Sequence, residues 1–253
     1  MKHTLALLLV TFTAFHVHGQ DAMSASGLAA KLSALQQDGS SLVRLKMEVK
    51  GTAKTTLQLQ IKQRRTAGAT EVVYQVLWPK ERAGEAVLLR QSGNQAASGS
   101  IFVPPNKVRA LDSAQMKEGL FGSDLEYADV LENFFAWQNQ TIVGTEIVNR
   151  VSCQILESKP GKGQRSSYAA VRTWVDARRL VPLRIEKYNS AGQVSRRITS
   201  GRIVTDDIGR HVPASFTVSD LQSGSSTELD GSSLKHDVSF TAQDFTPAAL
   251  QRE

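Results

Sequence analysis

Strict two-residue alternation of apolar and polar side chains is the feature that most restricts what this chain can become. Val43, Leu45, Met47 and Val49 alternate with Arg44, Lys46, Glu48 and Lys50. After a Gly51-Thr52 turn, Leu57, Leu59 and Ile61 alternate with Gln58, Gln60 and Lys62. Successive side chains of a strand point to opposite faces, so these two runs predict an antiparallel hairpin with one apolar and one wet face. The pattern recurs over 72–78 (stopped by Pro79), 85–91, 101–103, 107–111, 146–157, 168–175, 181–188, 194–204, 212–221 and 227–238. Turns rich in Gly, Asn, Asp and Pro separate nearly all of them. About twelve strands in meander order predict a single highly curved antiparallel sheet, an incomplete β-barrel, instead of alternating βα units. No linker or low-complexity stretch interrupts residues 20–253, which are expected to form one domain.

A sheet of that size cannot leave its apolar face in water; it must close on itself or be covered. Two helices are predicted to cover it. One spans 28–37, with Leu28, Leu32 and Leu35 on one face and Asp38-Gly39-Ser40 as its stop. The other spans 124–135. Ser123 stands as its N-cap and Glu126 follows three residues later, the capping-box spacing. Leu125, Leu131, Phe134 and Phe135 form its apolar stripe, and Asp124, Asp129 and Glu132 are expected to face elsewhere. Two short helices cover too little of so broad a face, and the apolar space left over suits a greasy ligand. Leu45, Met47, Leu57, Leu59 and Ile61 share one phase and are the expected wall of that space. Leu125, Phe134 and Phe135 are the expected lid. The competing reading is that side chains fill the barrel, making the same residues ordinary core. Tyr127 and Asp129 are read as helix surface, the alternative being the mouth of a cavity or a partner contact. Trp174, in phase with Arg172 and Asp176, is read as facing outward or at an edge, an edge aromatic shielding the sheet in preference to a ligand contact.

The first residues read as an export signal. Lys2 precedes the apolar run LALLLV (5–10), and Val17-His18-Gly19 offers small residues at the cleavage positions, predicting a signal peptide over 1–19 and a mature start at Gln20. The run falls short of the roughly 20 residues a membrane span needs. No cysteine follows it, so no lipid anchor is expected, and the mature protein is expected to be exported and soluble. The lone Cys153 sits in a strand-like stretch and reads as a packed thiol. Loss of Lys2 takes the 30 basic residues to 29 against 24 acidic ones, scattered along the chain. Anionic lipid or acidic partners would suit that balance, as would a merely solvated surface.

Chemistry-bearing motifs are missing. After removal of the signal, only His211 and His236 remain, not at metal-ligand spacing. There is no G-x-S-x-G elbow, phosphate loop or Cys–His pair. Asp206-Asp207 reads as a turn before Gly209. No enzyme activity, cofactor, metal or nucleic-acid partner is therefore expected.

Several segments resemble one family. FGSDLEYADVL (121–131) looks like the GSD-[FL]-x-Y-x-D-L block of the LolA-like outer-membrane lipoprotein-sorting proteins, and IFVPPNKVRAL (101–111) resembles the approach to it. Trp174-Val175-Asp176, then Pro182, Arg184, Glu186, Tyr188 and Gly192, is similar to that family's W-V-D hairpin. Asp244-Phe245-Thr246 and Leu250 resemble its ending, so the likeness covers about 28–250. Val130 and Ala128 depart mildly from the GSD block, and the lipidated cysteine of the receptor branch is missing. The resemblance implies a half-barrel wrapped round helices with a cavity for acyl chains. It also implies a periplasmic carrier of lipid or lipidated protein. Its alternative is a non-transporting lipid sensor or an accessory of an RND-type inner-membrane transporter.

Overall fold

The computed structural model describes residues 23–251 apart from 38, 52, 53, 67 and 94. The expected export signal and mature start lie outside the described residues. Helix α1 (Ala25–Gln36) opens at Ser24, whose hydroxyl accepts a hydrogen bond from the Gly27 N–H at 3.1 Å. It buries Leu28, Ala29 and Leu32.

A meander follows: β1 (Gly39–Lys50), β2 (Lys54–Arg65), β3 (Ala69–Trp78), β4 (Ala86–Ser92), β5 (Ser98–Phe102) and β6 (Arg109–Leu111). After a largely non-strand segment come β7 (Asn139–Val148), β8 (Val151–Lys159), β9 (Ala170–Asp176), β10 (Val181–Tyr188) and β11 (Val194–Ser200). The chain ends with β12 (Ile203–Thr205), β13 (His211–Pro213), β14 (Ser215–Asp220) and β15 (Ser226–His236). Thirteen of these form one antiparallel sheet in the order β6, β5, β4, β3, β2, β1, β15, β14, β11, β10, β9, β8, β7, while β12 and β13 form a separate ribbon. The curved sheet does not close: β6 and β7 are its two edges. The expected architecture holds, and the predicted first hairpin keeps its phase. Leu45 pairs with Leu59, Met47 with Leu57 and Val43 with Ile61.

Three predicted strands are in fact pairs. The run 146–157 contains a two-residue turn at Asn149 and Arg150, both at positive φ (48° and 66°), as hairpin turns with the strand's own twist require. The runs 194–204 and 212–221 are cut near Gly201 and Ala214, where the ribbon peels away.

The inner face carries two apolar clusters. The larger joins Leu45, Met47, Leu57, Leu59, Ile61, Val72, Tyr74 and Val76 to residues of the 112–137 segment. The smaller packs α1 and Phe134, Phe135 and Trp137 on Leu156, Val171 and Val175. On the opposite face of β3 and β4, Phe245 and Leu250 seal Val73, Ala86 and Leu88, which is the physical content of the C-terminal motif. Trp174 is not an edge aromatic. Strand β9 lies between β8 and β10, and the indole is only 5% exposed, under the Arg184 guanidinium at 3.8 Å. Cys153 is buried in the same outer cluster, and burial pushes its thiol pKa up. A thiol reagent is expected to label Cys153 far more slowly in the native protein than in denaturant, read by mass shift over time.

Candidate ligand-binding chamber and its plug

The segment between β6 and β7 is not the single helix its apolar spacing predicted. It consists of 3-10 turns at Gln115–Lys117, Leu120–Gly122 and Phe134–Ala136 around a five-residue helix, α2 (Tyr127–Leu131). Ser123 does not cap a helix; its hydroxyl accepts from the Leu125 N–H at 3.2 Å and so closes a local turn. Glu126 stands at the N-cap position, but its side chain makes no capping bond.

The reason lies in the loop that precedes α2. Backbone bonds from Leu120 N–H to Leu125 C=O (2.7 Å) and from Tyr127 N–H to Glu118 C=O (3.1 Å) fold 118–127 into a tight hairpin. Gly119 admits no side chain there, because a Cβ would fall 1.9 Å from the Ser123 carbonyl oxygen. Gly119→Ala is expected to cost about 1–3 kcal/mol, measured by urea unfolding, since backbone rather than a yielding side chain stands in the way. Asp124 then fixes the loop to the sheet. Its N–H donates to Thr227 Oγ1 (2.9 Å), and its carboxylate accepts from the Thr227 hydroxyl (2.6 Å) and the Ser225 hydroxyl.

Held this way, the segment lies across the inner face as a plug with two differently equipped sides. Met116, Leu120, Phe121, Tyr127, Val130 and Leu131 bury themselves against the apolar wall. Glu126, Asp129 and Glu132, spaced three apart, turn to the cations of β10 and β11. Lys187 Nζ lies 2.7 Å from Asp129 Oδ1 and 3.6 Å from Glu132. Arg196 Nη1 lies 2.9 Å from Glu126 and 3.1 Å from Asp129 Oδ2. The Tyr168 hydroxyl donates to Asp129, its ring lies 4.6 Å from Lys187 Nζ, and the Ser166 hydroxyl donates to Glu132 at 2.6 Å. Asp129 is therefore not a surface residue: its side chain is 3% exposed and that of Lys187 2%.

Sequence reasoning missed Lys187 and Arg196. The available signal was phase: Lys187 follows Ile185 by two, and Arg196 precedes Ile198 by two, so both cations point to the inner face.

Five of the expected ligand residues, Leu45, Met47, Leu57, Leu59 and Ile61, meet in one cluster, with Leu125 packed at its margin. Phe134 and Phe135 lie in the other cluster, 4.4 Å apart between ring centroids, beneath α1. An open cleft of about 400 Å³ lies beside that second cluster, lined by Ala29, Ser33, Phe135 and Trp137. The first wall is covered by the plug.

The latch has a directional pH response. Burial drives the Asp129 pKa upward, but Lys187 and Arg196 outweigh it and hold the carboxyl below its usual range. Burial raises Glu126, helped by the charge of Asp129, and burial also raises Glu132. A raised carboxyl adds stability as pH falls through its folded value toward its unfolded value of about 4.3. A lowered one contributes stability above its unfolded value of about 3.9 and loses it as pH falls through its folded value. The plug is thus expected to hold down to about pH 4 and to weaken below. Denaturation midpoints against pH should show that acid loss in the wild type and a smaller one in Asp129→Asn.

A second polar cluster brings together residues the sequence left apart. His236 Nδ1 donates to Asp207, and its Nε2 accepts from Arg210 Nη2 at 2.5 Å. Asp206 accepts from the N–H groups of Ile208 (3.1 Å) and Arg210 (2.7 Å). The turn expected before Gly209 is present, and His236 proves to have an acidic partner. Arg210 supplies the cluster's positive charge, and the arrangement braces a turn.

One large, curved antiparallel sheet that stays open, with few helices, is the LolA-like fold. The sequence model of a family described as uncharacterized protein matches residues 68–252, well over half of the chain, and the chain belongs to that family. Three solved structures are similar along nearly their whole length. A DUF1329 family protein from Desulfovibrio piger superposes with a TM-score of 0.83 at 21% identity, covering 90% of this chain and 98% of that one. A structure described as an outer membrane lipoprotein-sorting protein domain, from Vibrio parahaemolyticus, gives 0.81 at 21% identity over the same shares. A LolA superfamily protein from Nitrosomonas europaea gives 0.69 at 19% identity, covering 89% and 98%. No curated protein matches the chain. Among the described residues, no helix is long and apolar enough to cross a membrane.

Proposed function

We propose that this protein is a periplasmic carrier that holds the acyl chains of a lipid or lipidated protein on the inner face of its half-barrel. The observation that carries the reading is the wall formed by Leu45, Met47, Leu57, Leu59 and Ile61, covered by a plug that belongs to no strand of the sheet. Leu125 lies at the margin of that wall, and Phe134 and Phe135 form the far end of the plug. A cover joined to the sheet by apolar packing, the Asp124–Thr227 hydrogen bonds and an ionic latch can leave without breaking a strand ladder. An acyl chain then replaces the plug's apolar side chains, gaining about 0.8 kcal/mol per buried CH₂. Because the plug must first be exposed to water, the net preference is a difference of two similar terms, which keeps binding reversible. The structural neighbours described as lipoprotein-sorting and LolA superfamily proteins support this reading through their shared fold. Direction of transfer must come from partner proteins at each membrane.

The test is uptake of a fluorescent fatty-acyl probe by the wild type and by a folded Leu59→Glu variant. The wild type should bind and the variant should not; equal binding by both removes this wall from the account.

A second reading draws on the fact that the wall is already filled by the chain's own plug. In it the protein senses envelope lipid, or serves an RND-type inner-membrane transporter, and plug release is the signal. Transfer of labelled lipid between donor and acceptor vesicles separates the two: a carrier accelerates it and a sensor does not.

A further inference from the structure

One end of the sheet bears the turns that follow β3 and β5, and these turns meet. Ala86 pairs with Phe102, and a Cβ at Gly84 would lie 3.3 Å from Pro104 Cγ. At this rim Leu77, Trp78 and Val103 are 39%, 50% and 39% exposed, and Pro104 and Pro105 are exposed beside them. A bulge produces the projection. Gln58 pairs with Trp78 and the next pair is Leu59 with Val76, leaving Leu77 unmatched. Lys80, Lys107 and Arg109 border the same turns, all exposed and in no ion pair among the described residues. The exposed Glu81 lies among them and the exposed Glu118 shares the neighbourhood of Tyr127 with Arg109, whereas Arg82 is clamped by Glu85 at 2.6 Å.

We infer that this rim is a membrane-docking surface, which seats Trp78, Leu77 and Val103 in the headgroup region of a bilayer bearing anionic lipid. An indole with aliphatic neighbours prefers the polar–apolar boundary of a bilayer, and uncommitted lysines beside it are drawn to anionic headgroups. Net positive charge around an apolar tip fits a negatively charged lipid surface better than an apolar protein groove, which would leave the lysines unmatched. The rim also adjoins the plug: the Arg82 guanidinium lies 5.9 Å from the centroid of the Phe121 ring. Docking therefore sets the bilayer beside the plug's apolar anchor. The inference goes beyond cargo binding and does not depend on it.

Trp78 is also the reporter, because Trp137 and Trp174 are only 7% and 5% exposed. Full-length mature protein is mixed with phosphatidylcholine vesicles, or with vesicles that also carry phosphatidylglycerol. Co-sedimentation and tryptophan emission are then read. Binding to the anionic vesicles with a blue-shifted emission, lost at high salt, is the expected result. Lys80→Glu/Lys107→Glu should weaken it by more than tenfold, at about fivefold for each charge removed and more for each reversed. Sedimentation of the wild type with neither vesicle overturns the inference. So does equal binding to both kinds, or binding without an emission shift. The salt and emission readings use only the wild type, so a misfolded double variant leaves the test intact. Acyl-probe uptake in free solution is measured separately. Uptake without vesicle binding refutes the docking rim alone, and vesicle binding without uptake refutes the cargo reading alone.

Discussion

Lys187→Met lowers the free energy of unfolding by about 3–5 kcal/mol, the usual consequence of removing one member of a buried charge pair. The ammonium is 2% exposed and contacts both Asp129 and Glu132, so its loss strands two carboxylates of which only Asp129 keeps a strong cation, Arg196. The methionine keeps much of the aliphatic stem, which isolates the charge from the packing. Glu132→Gln in the same background should restore part of the loss, because the carboxylate left without a cation is then gone. A double-mutant cycle read by urea denaturation is expected to give coupling of at least about 1 kcal/mol. Strict additivity would mean that the latch does not act as a unit.

Leu120→Ala and Leu59→Glu are expected to part company on binding while both lose stability. Both side chains are fully buried in the same cluster, Leu120 on the plug and Leu59 on the wall. Truncating Leu120 should cost about 2–5 kcal/mol in unfolding, the range for a buried leucine. The contacts it removes exist only while the plug is seated. If some 2 kcal/mol of that cost falls on the closed form alone, the binding-competent fraction and the apparent acyl affinity rise by tenfold or more. Leu59 is needed under the plug and under the ligand alike, so a carboxylate there should abolish uptake. Acyl-probe titration of both variants, with circular dichroism to confirm folding, reads the contrast. Weaker binding by Leu120→Ala would place the ligand elsewhere.

The curved sheet was legible because alternation is a local property. Val43 to Val49 and Leu57 to Ile61 specify their faces without knowledge of the rest of the chain, and the pairing of Leu45 with Leu59 follows from that. The inner-face wall was legible for the same reason. The plug was not. Leu125, Leu131, Phe134 and Phe135 have helical spacing, but they serve two different clusters, and Gly119 and the Asp124–Thr227 contacts commit the backbone to a loop. The Asp124–Thr227 contacts join residues 103 positions apart, beyond the reach of any local pattern. Lys187 and Arg196 were hidden by their residue type: a cation in a strand reads as a solvent-facing position until three acidic residues on another segment are found above it. Asp129 looked exposed for the same reason.

Native mass spectrometry of the protein, purified without detergent from the cells that express it, reads whether the inner face holds a lipid. The expected result is a reproducible adduct of lipid or acyl mass, lost to a competing fatty acid and more abundant in Leu120→Ala. A bare protein mass for both forms, with no uptake of an acyl probe by either, would contradict it: the plug would then be a permanent part of the core.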